Sequence, residues 1–122
     1  LTNCILWGNT PLQIDNDGTG STPAISYSDI QSGCDADPYS VCGDGNIDAD
    51  PLFLDPDNGD FHLLPGSPCI DTGTNAAPDL LPYDFEGHAR IVDGDNDGVP
   101  TVDMGVDEAL LRLYLPLVLK AY

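Results

Sequence analysis

Hydrophobic residues along the chain fall in short runs, and residues that favour turns bound each run. Glycine, proline, asparagine and aspartate cluster between the runs, as in GNTP (8–11), DPDNGD (55–60), LPGSP (64–68) and DGDNDG (93–98). Short runs of this kind, bounded by turn residues, favour strands over helices. Within DPDNGD, Asn58 followed by glycine predicts a hairpin-type turn. Only residues 106–113 could hold one or two helical turns. The pattern therefore predicts an all-β chain of short strands joined by many loops.

One isoleucine from each run recurs at a nearly constant interval of 20 to 23 residues. The five positions, which we predict to lie in the core, are Ile5, Ile25, Ile47, Ile70 and Ile91. A repeat of this size is typical of coils stacked into a parallel β-helix, in which each coil buries its apolar face against its neighbours. A β-sandwich of short strands also fits the density of loops. The spacing favours the β-helix and leaves the sandwich open.

The C-terminal tail alternates strictly between leucine and other residues. The leucines are Leu111, Leu113, Leu115, Leu117 and Leu119. This period predicts a strand with one apolar face, and Pro116 places it at an edge or a bulge because proline has no N–H to donate. The run is about half of the roughly 20 residues that a membrane helix needs. We expect the strand to dock, either on this chain's own coils or near residues 1–7 of another copy, which would build head-to-tail filaments.

The composition adds a strong negative charge. The chain of 122 residues carries 21 acidic groups, 19 of them aspartates, against 3 basic groups, for a formal net charge of -18. A nucleic-acid surface is nearly excluded and an anionic membrane is disfavoured, because both draw their affinity from clustered lysine and arginine. So many carboxylates repel one another in a compact fold unless something offsets them. Bound cations are the expected offset.

Four cysteines in so short a chain indicate an oxidising compartment. Cys34 and Cys42 are eight positions apart, and we predict a disulfide that closes this small loop. Cys4 and Cys69 lie in apolar runs, where free buried thiols and a second bridge are both open. No pair has the C-x-x-C spacing of a zinc ribbon.

Four segments with distinctive motifs cover most of residues 3–108. They are NCILWGNT (3–10), ISYSDIQ (25–31), GNIDADPLFLDPDNGDFHLLPGSPCIDTGTN (45–75) and DFEGHARIVDGDNDGVPTVDMGVDE (84–108). Together they resemble the C-terminal end of secreted bacterial right-handed parallel β-helix proteins of the pectate-lyase-like kind, often found on cell surfaces. The stretch from DPLF to CIDTG is the specific part. The resemblance implies final coils followed by a cap, an extracellular or cell-surface location, and any catalytic or binding face in earlier coils outside this sequence.

We expect three parts along the chain. Residues 1–74 form β-helix coils, residues 75–108 form a capping segment with an Asp-rich loop, and residues 109–122 form the apolar tail strand. Residue 1 opens directly on a strand-like run without an initiator methionine or a secretory signal, so we expect a processed or excised piece of a longer protein.

The sharpest chemical motif is the loop DGDNDG, in which Asp93, Asp95 and Asp97 alternate before a glycine. Carboxylates at positions 1, 3 and 5 of a tight loop converge on a hard cation, and the backbone carbonyl of Val99 would follow. Position 12, glutamate in an EF-hand, is methionine here, and Asp103 falls one residue earlier. We predict a Ca²⁺ site made by these five residues. The alternative is a solvated turn of aspartate, asparagine and glycine.

The sequence offers little support for catalysis on polysaccharides. A lyase needs a basic residue beside its acidic substrate and a hydrolase needs two opposed acids, yet Arg90 is the only lysine or arginine before the tail. His88, in GHAR, fits an ordinary turn, and His62 is expected on the surface of a strand. We predict that Arg90 joins a carboxylate network that pins the cap. Its expected partners are Asp84, Glu86 and Asp93.

Two aromatic residues keep a binding function open. Trp7 and Tyr27 could stack against sugar rings, although packing in the core or at a coil edge is the commoner role of such residues. We therefore expect a noncatalytic extracellular structural module that calcium stabilises, with copies of itself or an extracellular glycan as candidate partners. The alternatives are a carbohydrate-binding or adhesive module and a fragment of a polysaccharide lyase or hydrolase.

Overall fold

The computed structural model describes residues 1–16 and 18–110, and this part of the chain is mostly non-helical. Six short strands form three two-stranded sheets: β1 Ile5–Leu6, β2 Ala24–Ile25, β3 Asp29–Ile30, β4 Val41–Cys42, β5 Phe53–Asp55 and β6 Asp60–Leu63. Two short 3-10 helices, Cys34–Ala36 and Pro56–Asn58, are the helical elements of the described residues. Short strands without an α-helix in the described residues agree with the all-β prediction.

Four of the six strands pair in parallel across wide gaps in the sequence. β1 pairs with β3, where Ile5 lies opposite Asp29, and β2 pairs with β4, where Ile25 lies opposite Cys42. A separate parallel bridge joins Asp29 to Ile47 on its other side. Parallel neighbours need a long crossover between them, unlike the two strands of a hairpin. The chain thus passes the same place three times, and we call residues 1–6, 24–30 and 41–47 the first, second and third pass.

Each pass bends at a residue with a positive φ, and the pairing places the three bends over one another. They are Asn3 at 57°, Tyr27 at 49° and Gly45 at 76°. The N–H of Cys4 donates to Ser28 Oγ at 3.1 Å, and the N–H of Ser28 donates to Asn46 Oδ1 at 3.1 Å. Glycine is required at the third bend because a Cβ there would lie 2.5 Å from a ring carbon of Tyr27. The Tyr27 ring therefore packs against the third bend.

β5 and β6 form an antiparallel hairpin after the third pass. Phe53 lies opposite Leu63, and the turn between the strands ends at Gly59, whose φ of 77° is left-handed. This confirms the hairpin turn predicted from Asn58 and its following glycine. The rings of Phe53 and Phe61 meet edge to face with their centroids 5.2 Å apart.

Apolar side chains of the passes, the hairpin and the C-terminal part pack into two clusters. The first contains Leu63, Cys69, Ile70, Met104 and Ala109, with Ile5, Ile47 and Phe53 packed against it. The second contains Ile25, Ile30 and Cys34, with Leu6 and Ile14 packed against it. Residues from 104 to 109 thus bury apolar surface in the same cluster as the first and third passes.

Only some of the five regularly spaced isoleucines lie in the core. Ile25 and Ile70 are buried and Ile5 and Ile47 are half-buried, but Ile91 is 47% exposed, so its predicted place in the core is wrong. The residue stacked on Ile5 is Asp29, and the steps between passes are 24 and 18 residues. The crossovers between the passes differ in length and so break the constant interval of the isoleucines. The register of one pass on the next is fixed by hydrogen bonds of two-residue strands, rather than by a repeated side chain.

The cysteines form one disulfide and two free thiols. Cys34 and Cys42 are bonded with their α-carbons 5.9 Å apart, which confirms the predicted bridge. Cys4 and Cys69 are free. The buried Cys69 thiol donates to Asp29 Oδ2 at 3.1 Å, and burial raises its pKa. Since burial also raises the pKa of Asp29, this pair is a buried structural contact rather than a reactive thiol.

The predicted tail strand with its five leucines, 111 to 119, lies outside the described residues. Within those residues, none of the helices has the length and apolar character needed to cross a membrane. The division into coils, capping segment and tail at residues 74 and 108 stays a prediction. We keep the name capping segment for residues 75–108.

Candidate functional site

The Asp-rich loop is closed on itself by backbone N–H groups that donate to its own carboxylates. The N–H groups of Asp97 and Gly98 donate to the two oxygens of Asp93 at 3.1 and 2.9 Å. Asp95 Oδ1 also accepts from Asp97 at 3.0 Å, and Asp97 Oδ1 accepts from Val99 at 2.7 Å. These bonds hold the alternating aspartates in a tight turn, as the spacing predicts.

A fourth carboxylate, Asp71, joins the loop from outside it. Each of Asp71, Asp93, Asp95 and Asp97 has a carboxylate oxygen within 4.8 Å of those of the others. Asp71 accepts from the N–H of Gly94, at 3.2 and 3.1 Å, and from that of Asp95 at 3.2 Å. Burial raises the pKa of Asp71 to about 6, and the Asp95 carboxyl adds to the rise. Four converging carboxylates form a strongly negative oxygen cage that suits a hard divalent cation.

The two remaining predicted calcium ligands have other contacts. Val99 is exposed and uses its N–H on Asp97. Asp103 is buried, and its two carboxylate oxygens accept from the N–H groups of Asp71 at 2.7 Å and Ala109 at 2.6 Å. Burial raises the pKa of Asp103 to about 7. Ligation by Val99 and Asp103 stays a prediction, whereas Asp103 clearly ties the segment carrying Asp71 to the end of the described chain.

A buried ion pair holds the capping segment together. Arg90 Nε donates to Glu108 Oε1 at 2.7 Å, and Arg90 Nη2 donates to the carbonyl oxygens of Asp103 and Gly105 at 3.3 and 2.9 Å. Glu108 Oε2 accepts from the N–H of Asp103 at 2.9 Å. The predicted structural role of Arg90 thus fits, but its carboxylate partner is Glu108, not Asp84, Glu86 or Asp93. The reason is that Glu108 is buried beside it, whereas sequence proximity had favoured the nearer acids.

The electrostatics of this network depend on burial. Glu108 is 2% exposed, and burial together with the nearby Asp103 raises its pKa to about 8, although Arg90 acts in the opposite direction. Asp84 has a lowered pKa despite its burial, because three backbone N–H groups, those of Glu86, His88 and Glu108, donate to its carboxylate. The buried carboxylates of the capping segment, Asp84 and Glu108, are therefore held by hydrogen bonds from backbone N–H groups and from Arg90.

His62 contacts acidic side chains from other parts of the chain. Its Nδ1 is 2.5 Å from Asp60 Oδ1, and its Nε2 is 2.5 Å from Glu86 Oε1 and 3.2 Å from Asp107 Oδ2. The hydrogen bonds to Asp60 and Glu86 raise the pKa of His62 to about 9. Burial raises the pKa of Asp107 to about 7. His62 is 37% exposed, which agrees with a surface strand residue, but it also connects β6 to the capping segment.

A groove of about 890 Å³ runs beside the first pass. Trp7, Phe61 and Leu81 contribute apolar surface to its lining, and Phe61 and Leu81 are exposed. Arg90 also borders the groove, but its guanidinium is occupied by Glu108 and by two carbonyl oxygens. Among the described residues, the groove therefore offers aromatic surface near Trp7 and an arginine that is already paired.

Comparison of the chain with protein-family models, with curated proteins and with solved structures finds no match. What can be inferred about function therefore rests on the geometry described above and on the sequence motifs.

Proposed function

We propose that the chain is a noncatalytic, extracellular structural module, made of the last coils and the C-terminal cap of a right-handed parallel β-helix and stabilised by calcium. One observation carries the β-helix part. Consecutive N–H groups at the end of the second pass and directly after it donate alternately to its two neighbours: Asp29 to Cys4 O of the first pass at 2.9 Å, Ile30 to Ile47 O of the third at 2.9 Å, and Gln31 to Leu6 O of the first at 3.0 Å. A strand with parallel neighbours on both sides is what the middle coil of such a stack requires.

The extracellular location is supported by the disulfide and by the charge. A disulfide persists in oxidising surroundings and is rare in the reducing cytosol. The bond between Cys34 and Cys42 ties a 3-10 helix to β4 and so braces the third pass. A formal net charge of -18 further favours surroundings in which divalent cations are plentiful.

Calcium is supported by the kind and number of ligands in the Asp-rich loop. Ca²⁺ takes six to eight oxygen ligands from carboxylates, carbonyls and water in a flexible geometry. Each carboxylate of the cage has lone pairs left after accepting backbone N–H groups, since two oxygens offer about four acceptor sites. The cation would offset the repulsion among Asp71, Asp93, Asp95 and Asp97 and so stabilise the cap, to which Asp71 is joined through Asp103.

A carbohydrate-binding function is the second candidate, and the groove beside the first pass favours it. Trp7 and Phe61 supply aromatic faces there, and such faces suit the apolar faces of sugar rings. The same groove lies at the first pass, where a tail strand of another copy would dock in the filament that the leucine pattern predicts. Saturable binding of a soluble glycan that Trp7→Ala removes would favour this second function over a purely structural one.

Calcium binding predicts a clear effect on thermal stability. Binding to the folded form alone stabilises it by mass action, by about 2.7 kcal/mol at a free calcium concentration of 100 times Kd. We expect differential scanning calorimetry to show a higher Tm in calcium than in EDTA. Asp95→Asn, which keeps an acceptor for the N–H of Asp97 but removes a charge, should abolish the difference.

The matched control is Asp57→Asn, which removes an exposed aspartate in the turn of the hairpin. It should leave the calcium response intact. An equal Tm in calcium and EDTA for the unaltered chain would reject the calcium part of the proposal. Unsaturated or reducing ends released from an acidic polysaccharide by the purified chain would reject the noncatalytic part.

A further inference from the structure

A second set of metal-ligand types lies between the hairpin and the capping segment, and it shares no residue with the Asp-rich loop. It consists of His62 in β6 and of Glu86 and Asp107 in the capping segment. Each offers one ligand atom, and these atoms lie within 4.8 Å of one another. His62 Nε2 lies 2.5 Å from Glu86 Oε1 and 3.2 Å from Asp107 Oδ2. One imidazole nitrogen and two carboxylate oxygens therefore lie close enough together to ligate one ion.

Asp107 supplies an independent indication of a ligand. Its side chain is 4% exposed, and its Oδ1 is buried and accepts no hydrogen bond from the described part of the chain. Buried carboxylate oxygens without a partner are rare, because losing water without compensation costs free energy. Asp107 also offers an oxygen to a neighbouring group with Asp84 and His88. Asp107 faces His62 through its other oxygen, Oδ2, so a cation bound by both carboxylate oxygens of Asp107 would give Oδ1 the contact that it lacks.

The surroundings of His62 match those of a metal-ligating histidine. Its other ring nitrogen, Nδ1, is 2.5 Å from the Asp60 carboxylate, two residues earlier in the same strand. Histidines that bind metals nearly always hydrogen-bond through the second nitrogen to a carboxylate, a carbonyl or a water, which fixes the ring and the tautomer. Asp60 thus orients the ring so that Nε2 faces Glu86 and Asp107.

We propose that His62 Nε2, Glu86 and Asp107 bind a divalent transition-metal ion of the zinc class, with solvent as the fourth ligand. Zinc accepts this mixture of imidazole nitrogen and carboxylate oxygen in a tetrahedral site, whereas calcium selects oxygen ligands. The ion takes the place of the proton on Nε2, and its two positive charges balance the two carboxylates. Such a site would cross-link the β5–β6 hairpin to the capping segment, independently of the Asp-rich loop.

The test is isothermal titration of Zn²⁺ into the whole chain, with Ca²⁺ in large excess so that sites made of carboxylates alone are filled. We expect one saturable zinc site per chain. His62→Gln should remove it, and Asp60→Asn, which alters only the orienting group, should weaken it by about 10- to 100-fold. His88→Gln and Asp95→Asn are the matched controls and should leave zinc affinity unchanged.

A second readout keeps the test decisive if His62→Gln fails to fold. In the unaltered chain, one equivalent of Zn²⁺ should shift the ¹⁵N resonance of His62 Nε2 by far more than any resonance of His88. That shift, together with a single saturable site, supports the proposal. No saturable binding, no shift at His62, or a site lost in His88→Gln but kept in His62→Gln would overturn it.

Discussion

Replacing Arg90 by methionine is expected to lower the free energy of unfolding by about 3 to 5 kcal/mol. The substitution keeps an apolar stem but removes a guanidinium that donates to Glu108 and to two carbonyl oxygens. Glu108 is 2% exposed, so it would be left either charged without a cation or protonated without its partner. Urea unfolding followed by circular dichroism at neutral pH measures the loss.

A double-mutant cycle separates the ion pair from the packing around it. Glu108→Gln should also destabilise, because its NH2 group would replace one of the two oxygens that accept from Arg90 Nε and from the N–H of Asp103, and would set a donor against a donor. The double variant Arg90→Met with Glu108→Gln should lose less than the two single losses added together, since neither charge is then left alone. Asp57→Asn, on the surface, is the control with no expected change. Strict additivity would contradict a coupled buried pair.

Ile30→Ala is expected to cost about 2 to 5 kcal/mol of stability, the range for truncating a fully buried aliphatic side chain. Ile30 is 1% exposed and lies in β3 of the second pass, in one apolar cluster with Ile25 and Cys34. Its N–H donates to the third pass, so the pass cannot easily shift to fill the cavity. The variant therefore loses the transfer free energy of the deleted methyl and methylene groups and also the stability that the remaining cavity costs.

The matched control is Ile91→Ala, the same truncation at a position that is 47% exposed. Its expected cost stays within about 0.5 kcal/mol, as for surface substitutions. The pair of variants also discriminates between two models of the chain, since the constant isoleucine interval would bury Ile91 rather than Ile30. A larger loss for Ile91→Ala than for Ile30→Ala would contradict the pass arrangement.

Local features of the fold followed from the sequence. The hairpin turn at Asn58 could be predicted because asparagine followed by glycine accepts the left-handed backbone that the turn needs. The disulfide could be predicted because Cys34 and Cys42 are close along the chain. The convergence of Asp93, Asp95 and Asp97 could be predicted because alternation in a tight loop directs their carboxylates to one side. All three features depend on residues within a few positions of one another.

Three contacts between distant parts of the chain could not be predicted. Asp71 joins the Asp-rich loop from 22 positions before Asp93, and only its place about one repeat earlier hints at the contact. The cluster around His62 requires the hairpin and the capping segment to meet, which no local motif encodes. Glu108 as the partner of Arg90 likewise follows from burial in the folded cap, because the sequence offers nearer acids at 84, 86 and 93.

The stacked parallel passes are the central claim, and through-hydrogen-bond NMR couplings between amide nitrogens and carbonyl carbons test them most directly. In a uniformly ¹⁵N,¹³C-labelled chain, we expect a coupling from the amide of Asp29 to the carbonyl of Cys4, from Ile30 to Ile47, and from Gln31 to Leu6. The alternation marks a middle strand, and the acceptors that advance from Cys4 to Leu6 as the donors advance from Asp29 to Gln31 mark a parallel neighbour. Couplings of the same amides to antiparallel partners, as in a β-sandwich, would contradict the β-helix.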